Sequence, residues 1–302
     1  MLEVQNIVIA GGTGLVGRHL AIQLDPNLFQ IYILTRKKRP SQDNIHYVVW
    51  DPASGFIDDT LPDVDIVINL AGEGIAEGRW TSSRKKALLD SRIQSVQTLK
   101  KWITSRQQKP SLFIGASAVG YYGHRGDEEL TEDAKPGHEF MSQLCLDWEK
   151  SSLEIKPLVQ RTVLLRIGIV LSMEGGALPK MLMTKPFGFL SYFGHGKQYY
   201  SWIHISDLTG IIMESIRNQH YEGIINAVSP QEITNKKAMY DVAKKTGGIF
   251  LVLPVPAFLL KLILGKMSKV VLNSNRVIPQ KLRELGFSFK YIEFDDAVKS
   301  LL

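Results

Sequence analysis

The sequence predicts an α/β fold, a doubly wound parallel sheet with a smaller C-terminal lobe. Short apolar runs alternate with longer segments whose apolar residues recur at helical spacing. Several of the runs are apolar throughout, which is typical of strands buried on both faces of a parallel sheet. This alternation implies right-handed βαβ units. The predicted strands are residues 4–10, 31–35, 47–50, 64–70, 112–116 and 163–167.

The spacing of apolar residues also predicts helices and a division of the chain. The clearest helix covers residues 82–104, and another covers residues 15–24. After about Ser172 glycine, proline and aromatic residues become denser, which indicates a loop-rich lobe. We therefore predict a first domain of residues 1–172, with return segments near 200–228. Residues 173–302 would form mainly a substrate lobe and a small helical C-terminal domain.

Composition and charge limit the classes of protein to consider. The 302 residues are 44% hydrophobic and 22% charged, which is ordinary for a globular protein. The net charge of +6 favours anionic partners without choosing among nucleotides, nucleic acids and acidic membranes. Cys145 is the only cysteine, so no internal disulfide can form. The first apolar run lacks a basic flank and leads straight into glycines, so we expect a cytoplasmic protein without a signal peptide.

A glycine-rich turn, GGTGLVG, follows the first predicted strand and opens the first helix. Gly11 allows the tight turn, Gly14 lets the backbone approach a pyrophosphate, and Gly17 lets the helix pack closely on the strand. The amide groups and the dipole at the helix start favour phosphate binding. The context predicts a dinucleotide-binding Rossmann domain. The residues predicted to contact the dinucleotide here are Gly11, Thr13, Gly14, Leu15, Val16 and Gly17.

The end of the second predicted strand favours NADP over NAD. An NAD site usually carries an aspartate or glutamate there, about 20 residues after the glycine turn, to bind the ribose hydroxyls. Here Thr35 is followed by the basic run RKKR. The planar guanidinium of Arg36 suits a 2′-phosphate. A solvated basic loop remains the alternative, because that is the usual fate of a charge run. We predict NADP (NADPH) as the cofactor, with Arg36 as the discriminating residue.

Motifs along almost the whole chain support a more specific assignment. They are NLAGE at 69–73 with RWT at 79–81, SAVGYYG at 117–123, WE at 148–149, LRIG at 165–168 and SWIHI at 201–205 with Asp207. In these motifs the chain resembles the extended short-chain dehydrogenase/reductases. It is most similar to the atypical SDR39U1-like subgroup of the epimerase family. Residues from about 255 to 301 resemble the C-terminal domain of unknown function of that subgroup.

The resemblance implies positions for the rest of the cofactor. Leu70, Ala71 and Gly72 would line the adenosine and nicotinamide-ribose side. Ala116 and Ser117 would lie beside the nicotinamide, and the segment from Arg166 through Ile167 to Gly168 would close its ring pocket. Ligands of open α/β sheets bind at the carboxyl ends of the strands. The loop after Gly72 lies at such an end, so it supplies our predicted substrate contacts, which are Glu73, Arg79 and Trp80.

The expected catalytic pair is missing from the sequence. Typical members carry Tyr-x-x-x-Lys, in which the lysine lowers the tyrosine pKa so that the phenol can exchange a proton. In the helix expected here, one register places Phe140 and Leu144 at these positions, and the other places Met141 and Cys145. Cys145 is expected to be a small core residue. The candidate catalytic residues are Ser117, Tyr121 and Tyr122, although we favour a pocket-shaping role for the two tyrosines.

Two further expectations concern the C-terminal half. Asp207 or Ser206 is expected to cap a helix that begins near Leu208. Residues 258–264 are apolar apart from Lys261, and we favour a buried helix or a subunit contact over a membrane-surface helix.

The sequence leads to two principal hypotheses of function. The first is an NADP(H)-dependent oxidoreductase or epimerase that acts on a small, sugar-nucleotide-like substrate through a non-standard proton donor. The second is a non-catalytic NADP(H)-binding sensor or scaffold. We expect no nucleic-acid or membrane partner, since the basic clusters lack interleaved aromatic residues. A homodimer is compatible with the sequence. The seven histidines form no metal-ligand spacing, so no metal site is expected.

Overall fold

A central eight-stranded sheet organises the protein, whose computed structural model describes residues 4–248 and 250–302. The strands are β1 Gln5–Ala10, β2 Phe29–Thr35, β3 Ile45–Asp51, β4 Phe56–Ile57, β5 Ile66–Asn69, β6 Leu112–Ala118, β7 Glu129–Leu130, β8 Arg161–Ile167, β9 Ile169–Leu171, β10 Phe189–Phe193, β11 Trp202–His204, β12 Gly223–Ala227, β13 Leu251–Val255 and β14 Arg276–Val277. The α-helices are α1 Leu15–Gln23, α2 Ser82–Ser105, α3 Phe140–Leu153, α4 Leu178–Met181, α5 Ile205–Arg217, α6 Asn235–Lys245, α7 Ala257–Leu264, α8 Ser268–Leu272, α9 Gln280–Glu284 and α10 Phe294–Leu301.

The order of the strands creates a ligand-binding edge. The sheet runs β12-β8-β6-β5-β1-β2-β3-β4, and its pairs are parallel apart from the antiparallel pair of β3 and β4. Strand order reverses between β1 and β5, the switch point beside which open α/β sheets bind ligands. The predicted fold class is confirmed. Strand β12 lies within the predicted return segment, whereas the domain boundary near residue 172 stays a prediction.

Successive side chains of the strands point to opposite faces of the sheet, and each face packs against helices. Ile7 and Ile9 of β1 pack into a core that includes buried residues of α1 and α5. Val8 and Ala10 point to the opposite face, where buried residues of α2 and α3 form a second core. Because successive side chains of a strand face opposite ways, an apolar strand serves both layers.

A third core joins α6, α10 and the neighbouring strands in the C-terminal half. Trp202 and Phe294 meet edge to face with ring centroids 5.1 Å apart. The Asp207 carboxylate accepts hydrogen bonds from the backbone amides of Lys290 and Tyr291 at 2.7 and 3.0 Å. This aspartate therefore anchors the C-terminal segment to α5.

The predicted start of α5 is wrong. The helix begins at Ile205, and its capping residue is His204, whose Nδ1 accepts a hydrogen bond from the Ser206 amide at 3.1 Å. We expected Asp207 or Ser206 in this role because serine and aspartate are common caps. Histidine is not a residue that the usual capping preferences would select.

Helix α7 is exposed, so the favoured interpretation as a buried helix is wrong. Phe258 is 73% exposed, Leu262 is 68% exposed and Ile263 is 56% exposed, and Leu260 is its buried residue. The alternative of a subunit contact stays a prediction. Across the part of the chain that the structure describes, no helix is long and apolar enough to cross a membrane.

We expect Gly17→Ala to destabilise the protein by about 1–3 kcal/mol, the usual cost of overpacking. A Cβ on Gly17 would lie 2.5 Å from the Gly12 Cα and 2.6 Å from the Gly11 carbonyl oxygen. The matched control is Gly210→Ala in α5, where the nearest atom, on the Phe287 ring, is at an ordinary 3.5 Å. That change should be neutral or stabilise by up to about 1 kcal/mol, since alanine favours helices. Equal losses of the two variants in urea unfolding would contradict a special steric constraint at Gly17.

We expect His204 to make stability fall towards acid pH. His204 is 3% exposed. Burial, followed by the charges of His19 and Lys290, lowers its pKa from 6.5 to about 4. Since the unfolded chain binds this proton more readily, the contribution of His204 is present above pH 6.5 and is lost as pH falls towards 4.

The measurement is unfolding free energy against pH for the wild type and His204→Asn, which keeps a capping side chain. Across this window the wild type should lose up to about 3 kcal/mol more than the variant, at about 1.4 kcal/mol per pKa unit. Parallel curves for the two proteins would contradict the assignment. The exposed His220→Asn serves as control.

Candidate functional site

The glycine turn forms a cradle that larger residues would fill. Gly11 has φ +79°, and a Cβ there would lie 2.7 Å from the Leu70 carbonyl group. The Gly14 amide donates to the Gly11 carbonyl oxygen at 2.9 Å. Gly14 is the N-cap of α1 and makes no side-chain capping bond. The amides of the first turn are thus left to bind an anion, as helix N-termini commonly do.

A groove of about 1230 Å³ runs along the carboxyl ends of the strands on this side of the sheet. Most of the residues that the sequence assigned to the dinucleotide lie on it. Leu15, Val16 and Gly17 instead lie in α1 and do not line the groove, and Ala116 is buried in the second core. The predicted dinucleotide residues that line it are Gly11, Thr13, Gly14, Arg36, Leu70, Ala71 and Gly72, and the predicted substrate residue Glu73 lines it as well.

Three basic side chains line one part of this groove. They are Arg36, Lys37 and Arg39, whereas Lys38 is not among the lining residues. Thr35 shapes the loop, since its hydroxyl donates to the Lys37 carbonyl oxygen at 3.1 Å. The sequence singled out Arg36 alone and missed the other two, because a run of charges does not show which members face a groove.

Hydrogen bonds beneath the groove hold the segment NLAGE, residues 69–73, in place. The Asn69 side chain accepts a hydrogen bond from the Ala71 amide at 3.1 Å and donates to the Ser95 hydroxyl at 3.1 Å. Buried Arg92 donates to the Glu73 carbonyl oxygen at 3.1 Å, and a Cβ on Gly72 would lie 3.1 Å from its guanidinium carbon. The loop after β5 is therefore held from beneath by α2.

A second cavity, of about 650 Å³, lies at the carboxyl ends of β6 and β8. Ile167 and Gly168, which the sequence placed at the nicotinamide, line this cavity, as does Trp80. Since β5 lies beside β6 in the sheet, the groove and the cavity follow one another along the same edge. This arrangement can accommodate an extended ligand with one end in each space.

Beneath the cavity lies a buried polar network around Arg166. Its guanidinium forms a two-point ion pair with Glu149, with both N–O distances 2.9 Å. The Ser117 hydroxyl donates to the same carboxylate at 2.6 Å. Arg166 also donates to the Tyr122 hydroxyl at 2.9 Å, and that hydroxyl donates to Asn226 at 2.6 Å. The network joins β6, β8, β12 and α3.

The candidate catalytic residues belong to this network and not to a cavity wall. Ser117 is 2% exposed and Tyr122 is fully buried. Burial raises the pKa of Tyr122 to about 12, so its phenol holds its proton tightly. The Tyr121 ring centre lies 3.5 Å from the Arg166 guanidinium carbon, and burial raises the pKa of Tyr121 as well. This geometry favours a structural role for the three residues, and their catalytic assignment stays a prediction.

The choice between the two registers of α3 stays a prediction, because Phe140 and Met141 both line the second cavity. Met141, Cys145 and Glu149 share the face towards the end of β6: a Cβ on Gly120 would meet Met141 at 3.3 Å and Cys145 at 3.8 Å. Met141 lines the second cavity. Cys145 is wholly buried, and burial raises the pKa of its thiol to about 12, which makes it unreactive as a nucleophile.

The three predicted substrate residues lie in different places. Glu73 lies on the groove and pairs with Arg84. Arg79 donates to the carbonyl oxygens of Leu262 and Ile263 at the end of α7, which gives it a structural contact. Trp80 lines the cavity, and its indole nitrogen donates to the Ile75 carbonyl oxygen at 3.0 Å.

Several cavity residues were missed because they come from distant parts of the chain. No local motif marks them, because they come together only in the folded chain. They are Lys85, His138, Tyr199, Lys266, Lys269, Asn273 and Asn275.

Comparison with known proteins now identifies the family. Residues 7–227 match the model of the NAD dependent epimerase/dehydratase family, and residues 255–301 match a domain of unknown function, DUF1731. The chain belongs to the NAD-dependent epimerase/dehydratase family. The family resemblance predicted from the motifs is therefore confirmed.

Relatives of similar length share this organisation. The chain is 36% identical to the epimerase family protein YfhF of Bacillus subtilis, with 98% of each chain covered. The structure of human epimerase family protein SDR39U1 (isoform 2) with NADPH has a TM-score of 0.88 at 30% identity, with 98% of each chain covered. A UDP-glucuronic acid 4-epimerase of Bacillus cereus, solved with UDP-glucuronic acid and NAD, has a TM-score of 0.78 at 16% identity and covers 98% of this chain and 97% of its own, and this shows the shared fold alone.

We expect Glu149→Ala to destabilise the protein by about 3–5 kcal/mol, because removing one partner leaves a buried charge unpaired. Glu154→Ala is the matched control, since Glu154 caps the same helix and pairs with Lys100 at the surface. That change should cost less than about 1 kcal/mol. Urea unfolding of both variants measures the difference, and similar losses would contradict a central role for the Arg166 network.

Proposed function

We propose that this chain binds NADP(H) along the groove and carries out oxidation and reduction of a small molecule in the second cavity. The observation that carries the proposal is the presence of Arg36, Lys37 and Arg39 on the same groove as the glycine cradle. A diphosphate suits the amides at the start of α1. A 2′-phosphate suits the basic side chains after β2, because Thr35 is followed by Arg36 and not by an aspartate or glutamate.

The family relation supports the choice of cofactor. The SDR39U1 structure contains NADPH, and the Bacillus cereus epimerase contains NAD. The basic residues after β2 favour the phosphorylated form for this chain. The nicotinamide end would lie against Ile167 and Gly168 in the cavity.

Bound NADPH supplies a hydride, so the protein's own residues have to position the substrate and manage the accompanying proton. In either register of α3, Phe140 with Leu144 or Met141 with Cys145, the usual tyrosine and lysine are absent. Side chains that line the cavity and carry exchangeable protons include Lys85, His138 and Tyr199. One of these, or water held by them, serves as the non-standard proton donor in this proposal.

A non-catalytic sensor or scaffold is the second candidate. The observation in its favour is the apolar face of α3 at the position of the usual catalytic pair. The two candidates differ in whether bound NADPH is oxidised when a panel of carbonyl compounds and nucleotide sugars is supplied. Turnover with any member supports the enzyme, and silence across the panel with tight NADPH binding intact supports the sensor.

Location and partners belong to the same proposal. We place the protein in the cytoplasm with a small-molecule substrate and without a nucleic-acid or membrane partner. A basic groove that bound nucleic acid would lose affinity steeply as salt rises. A filter-binding titration that shows this slope would overturn that part of the proposal.

We expect NADPH to raise the melting temperature more than NADH does. Ligand at a hundredfold excess over its Kd stabilises the folded state by about 2.7 kcal/mol. Arg36→Asp should remove the preference for NADPH, because one charge-assisted hydrogen-bonded contact is worth about 1.5–3 kcal/mol. Lys38→Asp is the matched control, since it makes the same charge change at a side chain that does not line the groove. If both variants keep the preference, Arg36 is not the discriminating residue.

A further inference from the structure

The second cavity combines apolar walls with a concentration of positive charge. Trp80 and Phe140 line it and meet edge to face at 5.1 Å. The ammonium groups of Lys85, Lys266 and Lys269 belong to the same lining. Its volume of about 650 Å³ is in the range of pockets that hold small organic ligands.

The charges of Lys266 and Lys269 reach Lys85. Burial lowers the pKa of Lys85, and the charges of Lys266 and Lys269 lower it further. The lysines come from separate parts of the chain, α2 for Lys85 and the α7–α8 segment for the other two, so their convergence is a property of the folded cavity.

Acidic groups at the cavity compensate only part of this charge. Glu139 lines the cavity and pairs with Lys269 at 3.2 Å, and it also accepts a hydrogen bond from Asn273. Within residues 4–248 and 250–302, neither Lys85 nor Lys266 has a carboxylate partner. The Lys85 ammonium instead lies 4.5 Å from the Phe140 ring centre. A cluster of like charges that is only partly compensated favours the binding of an anion.

We propose that this cavity selects a small anionic substrate with an apolar or aromatic body. Its carboxylate or phosphate group would be bound by Lys85 and Lys266, and its body would lie against Trp80 and Phe140. The proposal rests on the proposed function, in which this cavity is the substrate side of the NADP(H) site. It adds the substrate class and two specificity-determining residues.

Matched probes test the requirement for charge. Phenylpyruvate and phenyl phosphate carry the two candidate anionic groups on an aromatic body, and the methyl ester of phenylpyruvate is neutral. Each is titrated into the full-length protein, with and without NADPH, by calorimetry. At least one anion should bind about tenfold more tightly than the ester, which corresponds to about 1.4 kcal/mol. The anion that binds more tightly identifies the preferred group.

Matched variants test the residues. Lys85→Gln and Lys266→Gln should each weaken binding of that anion about tenfold and leave binding of the ester unchanged. Lys86→Gln, adjacent in sequence and paired with Asp90, and Lys261→Gln on the exposed surface of α7 should change neither. Because the cavity lysines are not core residues, their variants should keep the wild-type melting temperature, which is measured first.

Three outcomes overturn the proposal: equal binding of ester and anions, no saturable binding of either anion, or control variants as weakened as the cavity variants. Failure of the proposed function has a different signature. In that case NADPH does not bind, while the anions still bind in a manner that depends on Lys85 and Lys266. The cavity would then be an anion site without a role in oxidation and reduction.

Discussion

The ion pair of Arg166 and Glu149 is the constraint on which the site depends. It lies between β8 and α3, and through Ser117 and Tyr122 it reaches the ends of β6 and β12. A buried pair is weak evidence for stability as such, because well-packed apolar residues could replace it at little cost. Its value here is geometric: a two-point guanidinium–carboxylate contact fixes orientation as well as distance. This contact therefore also fixes the orientation of the strand ends that lie beneath the cavity.

The same network holds the two neighbouring tyrosines in place. The Tyr122 hydroxyl bonds to Asn226 and to the Thr131 carbonyl oxygen, and the Tyr121 ring centre lies 3.5 Å from the Arg166 guanidinium carbon. Helix α3 presents Met141 to the cavity, so the side of the cavity towards the sheet is apolar. Much of the polar character of the cavity comes from α2 and the C-terminal segment.

Local features of the fold and site were predictable from the sequence, and distant ones were not. The glycine turn and the buried strands follow from short-range rules of backbone freedom and apolar patterning. The Arg166 network does not, since Tyr122 and Asn226 are separated by 104 positions and no spacing rule pairs them. Helix α5 was placed too late because its cap is a histidine. The exposure of α7 could not be predicted either, because an apolar helix can lie in a core or on a surface. Only its neighbours in the folded chain decide between the two.

One loop connects the two halves of the site. Glu73 and Gly74 line the groove, whereas Ile75 and Trp80 line the cavity. Arg84 holds the groove side by pairing with Glu73 and donating to the Gly74 carbonyl oxygen at 2.7 Å. On the cavity side of the loop, the Trp80 indole nitrogen donates a hydrogen bond to the Ile75 carbonyl oxygen. A short contiguous stretch thus forms a wall shared by both spaces. Residues 69–81 carry much of the recognisable pattern of the chain, and they have to shape the groove and the cavity at once.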